Sequence, residues 1–552
     1  MEQYRKNFVI IILLIVLGFS GINKDLFAGG VVKTKETHQT MIGFGAAIAW
    51  YEGTLANHPK REEVYNYIFN DLGLDILRIR NTYRYNPAAF ATDFSKIITK
   101  MYQVSSTHPR VLISSWSPPS DLKSNNNTNG GSNATLKKDD NGKYVYRLFA
   151  EYWADAIEAY QNAGIEPDYI SLQNEPSFDA SWESCRFEPS ETSSIAGYGK
   201  ALDTLYAVLQ DADLHPKILA AEAHGIGYNA FQNYANKFNH NIVDGYCYHL
   251  YHGGTGSAED ISPDTFNSNL LTIGNNYDDK PIWQTEFDRG TWLQTAWLMQ
   301  NSLVSGNVSA YLWWELIWGS GGKPLIELGG STYTITKYYW AFRQFSKYID
   351  EGWKRVTAES DVANLRVSAF ANPEDSKLTI VIVNVADDIE EMSFDIQDFN
   401  VAGGKIIRTS ETEDGVVVSD YVSNSVIQFP ELSITTLSLY DQTVGLEDNI
   451  SQTPSEFSLS QNYPNPFNPT TKIRYSLPAV ETPYMASLKT TLIVYDILGR
   501  EITTLVNEEQ NPGTYEVEFN GDTLPSGIYL CKMSATGRAG NFNTTIKLML
   551  IK

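Results

Sequence analysis

The chain is poor in cysteine and histidine, with three and eight respectively among 552 residues. Cys185, Cys247 and Cys531 stand far apart, which excludes a disulfide framework and argues against a cysteine-based zinc site. Buried free thiols are the expectation, with a single Cys185–Cys247 bridge as the alternative. The motif His-Glu-x-x-His is absent, and so is the Gly-x-Ser-x-Gly elbow of serine hydrolases. No glycine-rich phosphate fingerprint follows an early strand. Basic residues are in deficit as well: 42 Lys and Arg against 65 Asp and Glu leave a formal charge of −23. That balance is a poor match to nucleic acid, whose binders carry basic stripes. It suits a secreted chain kept soluble by its charge. Beyond the first residues no apolar run approaches the ~20 needed to span a membrane. The reading expects no cofactor, no metal, no nucleic acid and no transmembrane segment in the mature protein.

What is present starts with a signal-peptide layout over residues 1–28. Arg5 and Lys6 precede an apolar block from Phe8 to Phe19, and Leu26-Phe27-Ala28 stands where cleavage would fall. Aromatics are abundant, with 33 Tyr and 12 Trp, a supply that suits stacking on sugar rings.

From Thr40 to about Phe345, short β-rich runs alternate with amphipathic stretches. The runs are Ile42–Ile48, Ile76–Ile79, Val111–Ser115, Tyr169–Leu172, Ile218–Ala221, Val243–His249, Pro281–Thr285 and Val308–Trp314. Helix candidates between them include Arg61–Leu72, Ala150–Ala163, Ile195–Leu209, Tyr228–Phe238 and Thr295–Ser305. Eight strands separated by helices predict a (β/α)8 barrel over 29–347. Closely spaced strands over 348–440 predict an attached side β-sandwich, which 29–39 is able to join. A polar linker (441–457) leads to a small all-β sandwich over 458–552.

Active sites of such barrels lie at the carboxyl ends of the strands. Glu175, in "SLQNEP", ends the fourth run, and Glu286, in "PIWQTEF", ends the seventh. Runs four and seven face each other across a barrel, and two facing carboxylates are the apparatus of glycoside hydrolysis. Either glutamate alone would be a weak signal, since a strand-end Glu is more often solvated or salt-bridged. As acid, Glu175 should have a raised carboxyl pKa. Asn174 is placed to donate to a sugar 2-hydroxyl, and His249 or Tyr251 to orient Glu286. Trp50, Trp116, Trp182, Trp292, Trp314 and Trp318 sit in loops at the same strand ends, as candidate sugar platforms. Trp283 and Trp313 are assigned to the core.

The stretches "QTMIGFGAAIAW", "LRIRNTY", "SSWSPPSDLKSNN", "SLQNEPSFDASWESC", "YHLYH", "QTEF" and "AYLWW" occur in this order. As a set they resemble glycoside hydrolase family 30, over about Thr37–Tyr440, and its bacterial xylanase branch above all. The resemblance implies Glu175 as acid/base, Glu286 as nucleophile and Asn174 as partner of the 2-hydroxyl. It matches His249 and Tyr251 to a strand-six His-x-Tyr. It also asks for an arginine near the nucleophile, which either Arg78 or Arg80 satisfies; Arg80 is counted with the substrate-binding set. Many xylanases of the branch recognise a glucuronate substituent through an arginine after the strand-eight tryptophan pair. Here Glu315-Leu316-Ile317-Trp318 follows instead, which puts glucuronate dependence in doubt; Arg289 and Lys323 are the substitutes at hand.

The tail, with "QNYPNPFNPTT", "VYDILGRE" and "LPSGIYL", resembles a type IX secretion sorting domain. That implies the secretion machinery as partner and release, or attachment, at the outer surface. The combined expectation is a secreted, monomeric, retaining endo-β-1,4-xylanase acting on plant cell-wall (glucurono)xylan. The alternatives are a β-1,6-glucanase or β-glucosidase/glucosylceramidase-like enzyme of the same family, and a non-catalytic carbohydrate-binding surface protein.

Overall fold

The computed structural model describes residues 29–85, 90–105, 108–253, 262–441, 457–459, 462, 465–477, 488–510, 513–537 and 540–552. The expected signal peptide and most of the expected linker lie outside them. The chain divides into two compact units, Met1–Thr443 and Val444–Lys552.

After a long strand β1 (Gly29–Thr40), the first unit lays down eight barrel strands. They are β2 (Gly43–Ile48), β3 (Ile76–Arg80), β4 (Arg110–Ser114), β5 (Tyr169–Ser171), β6 (Lys217–Gly225), β7 (Gly245–His252), β8 (Ile282–Glu286) and β9 (Val308–Trp313). Each pairs in parallel with the next, and β2 closes the ring against β9.

Strand alternation sets the interior. Ile76, Leu112, Tyr169, Leu219, Cys247, Trp283, Ala310 and Leu312 form one buried apolar cluster across the barrel. Two residues further along β3, β4, β5 and β7 the same face carries Arg78, Ser114, Ser171 and His249, all fully buried. The lumen thus turns from apolar to polar toward the carboxyl ends, which is where the site lies.

Outside the ring, amphipathic helices bury one face each. In Tyr146–Asn162 the buried Phe149, Trp153, Ile157 and Tyr160 recur every three or four residues. Two helices differ from the sequence expectation. The Arg61–Leu72 stretch is α-helical only to Asn66 and widens into a π turn over Tyr67–Asp71. There the Tyr339 hydroxyl donates to the Tyr67 carbonyl (3.0 Å) and to Asp71 (2.7 Å), which Arg343 also grips. The Tyr228–Phe238 helix shrinks to Ala230–Ala235, because Tyr228 and Asn229 are left-handed, at φ 55° and 58°.

The strands after Lys347 build a sheet in which β1 pairs with Lys354–Ser360 on one side and Glu390–Gln397 on the other. Strand Lys377–Asn384 is buried on both faces: Ile380 and Ile382 enter this sheet's own core, whereas Val381 and Val383 pack into the barrel's. The described residues of the second unit form a three-stranded and a four-stranded sheet around a separate core that includes Cys531. All three cysteines are buried free thiols.

Truncating Trp283, fully buried and 4.6 Å from the Tyr169 ring, to alanine should cost about 3–5 kcal/mol. The same change at Trp182, 53% exposed, should stay within about 0.5 kcal/mol. Denaturant unfolding of the two variants checks the contrast.

Candidate active site

Arg78 organises the polar layer. It is fully buried, and its guanidinium donates to Glu286 Oε2 at 2.6 Å, Asn174 Oδ1 at 2.7 Å and Ser114 Oγ at 3.1 Å. A third carboxylate, Glu222 on β6, lies 3.0 Å away and also accepts from Ser114. Trp116 covers the guanidinium face at 4.5 Å. A buried cation demands such pairing. Tyr251, at the end of β7, donates to the second oxygen of Glu286 at 3.1 Å.

Glu175 lies four residues beyond the end of β5. Its amide donates to the Glu222 carbonyl (3.0 Å), while the neighbouring Asn174 amide donates to that of Ser115 (2.7 Å). These bonds hold Glu175 in the left-handed region, at φ 46°, a strained conformation for a non-glycine residue and one that recurs at functional sites. Two imidazoles converge on a single oxygen: His224 Nδ1 at 2.7 Å and His249 Nδ1 at 2.8 Å from Glu175 Oε1. An ionised carboxylate only accepts, so with Glu175 ionised both Nδ1 atoms carry hydrogen.

His249 also lies 3.9 Å from Glu286 Oε1. Oxygens of Glu175 and Glu286 and a nitrogen of His249 all fall within 4.8 Å of one another. This trio could hold a cation by distance alone. Arg78 already supplies the positive charge, however, and the Nδ1 of His249 is committed as a donor to Glu175.

Burial raises both carboxyls. At Glu175 the two imidazole donors reverse this and hold it low, at about 2. The raised value expected from the sequence is therefore not found, because that reading placed no imidazole on this residue. At Glu286 burial and the Glu175 charge prevail over His249 and Arg78, and the carboxyl is raised. So close a pair titrates as one unit.

The carboxyls open on a cleft of about 620 Å³. Trp50, Trp116, Trp182, Trp314 and Trp318 line it, with Asn174, Phe178 and Tyr251. Trp50, Trp116 and Trp314 meet in a triangle of 5.6–5.8 Å centroid distances. The loop carrying Trp182 is tied to the loop after β4: Asp179 accepts from Gly131 and Asn133, and buried Lys123 donates to the Ser184 carbonyl. Cys185 sits in that junction as packing, its thiol pushed up to about 12 by burial.

Two residues of the expected set lie elsewhere. Arg80 shares the inward face of Arg78 but sits one step higher, where it pairs with Glu183 at 2.8 Å and stacks on Trp50 at 4.7 Å. The arginine on Glu286 is Arg78. Trp292 begins helix Trp292–Ser305 and packs against the barrel core, outside the cleft lining. Conversely, Glu222 and His224 were missed, because the fifth run was ended at Ala221 whereas β6 continues to Gly225 through register shifts. The polar "EAHG" after that run was the available signal.

Comparison with known proteins agrees with this geometry. Residues 92–244 match the family model described as O-glycosyl hydrolase family 30, and residues 461–549 match a secretion system C-terminal sorting domain. A glucuronoxylanase of Bacillus subtilis (strain 168) is 24% identical over 439 residues, covering 77% of this chain and 94% of that protein. An endo-1,6-β-D-glucanase of Neurospora crassa is 22% identical over 398 residues, 63% of this chain and 79% of its own length. The crystal structure of a family 30 subfamily 8 xylanase from Clostridium acetobutylicum superposes with a TM-score of 0.61 at 23% identity, over 75% of this chain and 99% of its own. The sorting domain indicates secretion or attachment at the cell surface. Among the described residues no helix is long and apolar enough to cross a membrane.

Replacing Arg78 with methionine strips Glu222 and Glu286 of the guanidinium that pairs with both. The expected cost at neutral pH is about 3–5 kcal/mol. Glu286, already raised by burial, would lose the guanidinium that holds it down and rise further above its unfolded value. Stability is therefore lost as pH rises through and beyond the unfolded value of about 4.3, and the defect is smallest below it. Urea unfolding at pH 4 and pH 7 checks this; an equal loss at both would refute the charge argument.

Proposed function

We propose that the enzyme is a retaining endo-β-1,4-xylanase, with Glu286 as nucleophile and Glu175 as acid/base. The observation that carries the reading is the carboxyl approach of 4.8 Å or less. Retaining sites hold their carboxyls about 5–5.5 Å apart, and inverting sites leave about 6.5–9.5 Å for a water. Glu286 attacks the anomeric carbon while Glu175 protonates the departing glycosidic oxygen, giving a covalent glycosyl-enzyme. Glu175, now a carboxylate, takes a proton from water; that water's oxygen attacks the anomeric carbon and releases Glu286. Asn174 gives its carbonyl oxygen to Arg78, so its amide is left to donate to the sugar 2-hydroxyl.

The productive arrangement has a proton on Glu175 and Glu286 ionised. Arg78 is a permanent cation and Tyr251 a neutral donor. Both favour ionised Glu286.

Tryptophan faces along an open cleft favour an internal stretch of polysaccharide over a chain end. The relatives named glucuronoxylanases support xylan as substrate. Recognition of its acidic substituent differs from the pattern the resemblance suggests. Glu315 occupies the position after Trp314, 3% exposed. Burial and the charges of Glu286, Asp288 and Glu52 push its carboxyl up to about 11, so it is neutral and offers no cation. Lys323 lies outside the cleft lining, which includes Arg289, 3.5 Å from Asp288. The reading is therefore a xylanase that does not depend on glucuronate. The relative named for β-1,6-glucan supports the second reading, the same mechanism on that polymer.

Glu175→Gln should lower kcat on xylan about 10²–10⁴-fold, and Glu286→Gln should remove turnover while polysaccharide binding persists. Proton NMR of the first-formed anomer should show β product, and an α product would overturn double displacement. Glucuronoxylan, arabinoxylan and unsubstituted xylo-oligosaccharides should all be cleaved. Cleavage of β-1,6-glucan with none of these would transfer the assignment to the second reading.

A further inference from the structure

We propose that His224 is a second positioning residue for the acid, clamping Oε1 of Glu175 from β6 while His249 clamps it from β7, so that Oε2 meets the glycosidic oxygen. The proposal rests on the assignment of Glu175 as acid/base.

Strand β6 holds Glu175 twice. The Glu222 carbonyl takes its amide (3.0 Å), and two residues later His224 Nδ1 takes its side chain (2.7 Å). His224 is itself fixed by stacking. Its ring lies parallel to Phe178, 4.8 Å apart with 5° between the planes. The Phe178 amide in turn donates to the Glu175 carbonyl at 2.8 Å. Acid, stacking ring and imidazole therefore form one closed loop of contacts at the cleft wall. Neither imidazole claims Oε2, and Glu175 lines the cleft.

Several titratable groups surround Glu175. Beside His224 on β6 is Glu222; β7 contributes His249, Tyr251 and His252, the last 4.7 Å from the His224 ring. Glu286 faces it from β8, and Arg78 on β3 reaches it through Asn174. Of these, only His224 and His249 are hydrogen-bonded to its carboxylate. His249 is fully buried and also approaches Glu286. Of the two carboxyls, His224 is hydrogen-bonded only to Glu175, and a phenylalanine in its place keeps a ring against Phe178 and Tyr251, so removal of the imidazole donor acts chiefly on the acid. An N–H donor stabilises the charged form of a carboxyl, so removing it raises the pKa. The acid must be protonated, and the alkaline limb of kcat/KM therefore moves upward.

The test uses the full-length enzyme. His224→Phe keeps the stack on Phe178 and removes the donor, and His224→Gln keeps a donor. On an unsubstituted xylo-oligosaccharide the alkaline limb of the phenylalanine variant should rise by about one pH unit, and that of the glutamine variant should stay with the parent. On a 2,4-dinitrophenyl β-xylobioside, whose leaving group needs no proton, the shift should vanish. An unmoved limb in a phenylalanine variant that melts like the parent would overturn the proposal. So would an equal shift in both variants, or one that persists on the activated substrate. If the phenylalanine variant does not fold, His224→Ala with added imidazole carries the same test, and return of the limb toward the parent's on addition is the supporting result. Glu175→Gln run alongside separates the two levels. Parental rates for it on the xylo-oligosaccharide would remove the acid assignment itself, whereas its expected loss beside an unmoved His224→Phe limb removes only the clamp.

Discussion

A guanidinium with no access to solvent is the constraint around which the site is built. Arg78 sits at the second inward position of β3, above the apolar cluster that fills the lower barrel. An isolated charge there would be costly, and groups from four other parts of the barrel answer it. Ser114 comes from β4, Asn174 from beyond β5, Glu222 from β6 and Glu286 from β8. One cation facing two carboxylates leaves a negative balance, and the imidazoles of His224 and His249 lie on the side where the third carboxyl, Glu175, enters. The cluster is locked by its charges, so its side chains are already in place before a ligand arrives.

Aromatic packing finishes what the charges begin. Trp116 covers Arg78 and touches Trp50 and Trp314; Arg80 underlies Trp50. Trp50, Trp116 and Trp314 are thus backed by guanidinium groups as well as by one another. Neutral sugar rings fit such a wall. Its polar contacts are concentrated at the carboxyl pair, where bond cleavage is proposed to occur.

Much of this was legible in the chain because strand period and barrel position do most of the work. Glu175 and Glu286 were found by counting runs, and Trp283 and Trp313 were assigned to the core by their place inside runs. The choice between Arg78 and Arg80 was not legible: both fall on the inward face, and only their depth, two residues apart, separates a partner of Glu286 from a partner of Trp50. Glu222 and His224 lie past register shifts at the end of β6, where simple alternation no longer tells which way a side chain points. Trp292 looked like a strand-end residue but opens a helix. The Thr291–Gln294 capping box fixes that helix start and turns Trp292 toward the barrel core. A cap spanning four residues outweighs the loop reading of Trp292.

The two carboxyls face different strands, and this separates their control. Glu286 answers to β3 and β7 through Arg78 and Tyr251, and Glu175 to β6 and β7 through His224 and His249. Only β7 reaches both, with His249 standing 2.8 Å from one and 3.9 Å from the other. Substitution of His224 on β6 should therefore act first on the proposed acid, whereas Glu222 on the same strand bears on Glu286 through Arg78. A change at His249 must move both, because a proton on that imidazole interacts with each member of the pair. The histidine deepest in the site stands within 4 Å of both carboxyls, and it adds a shared imidazole to their direct coupling.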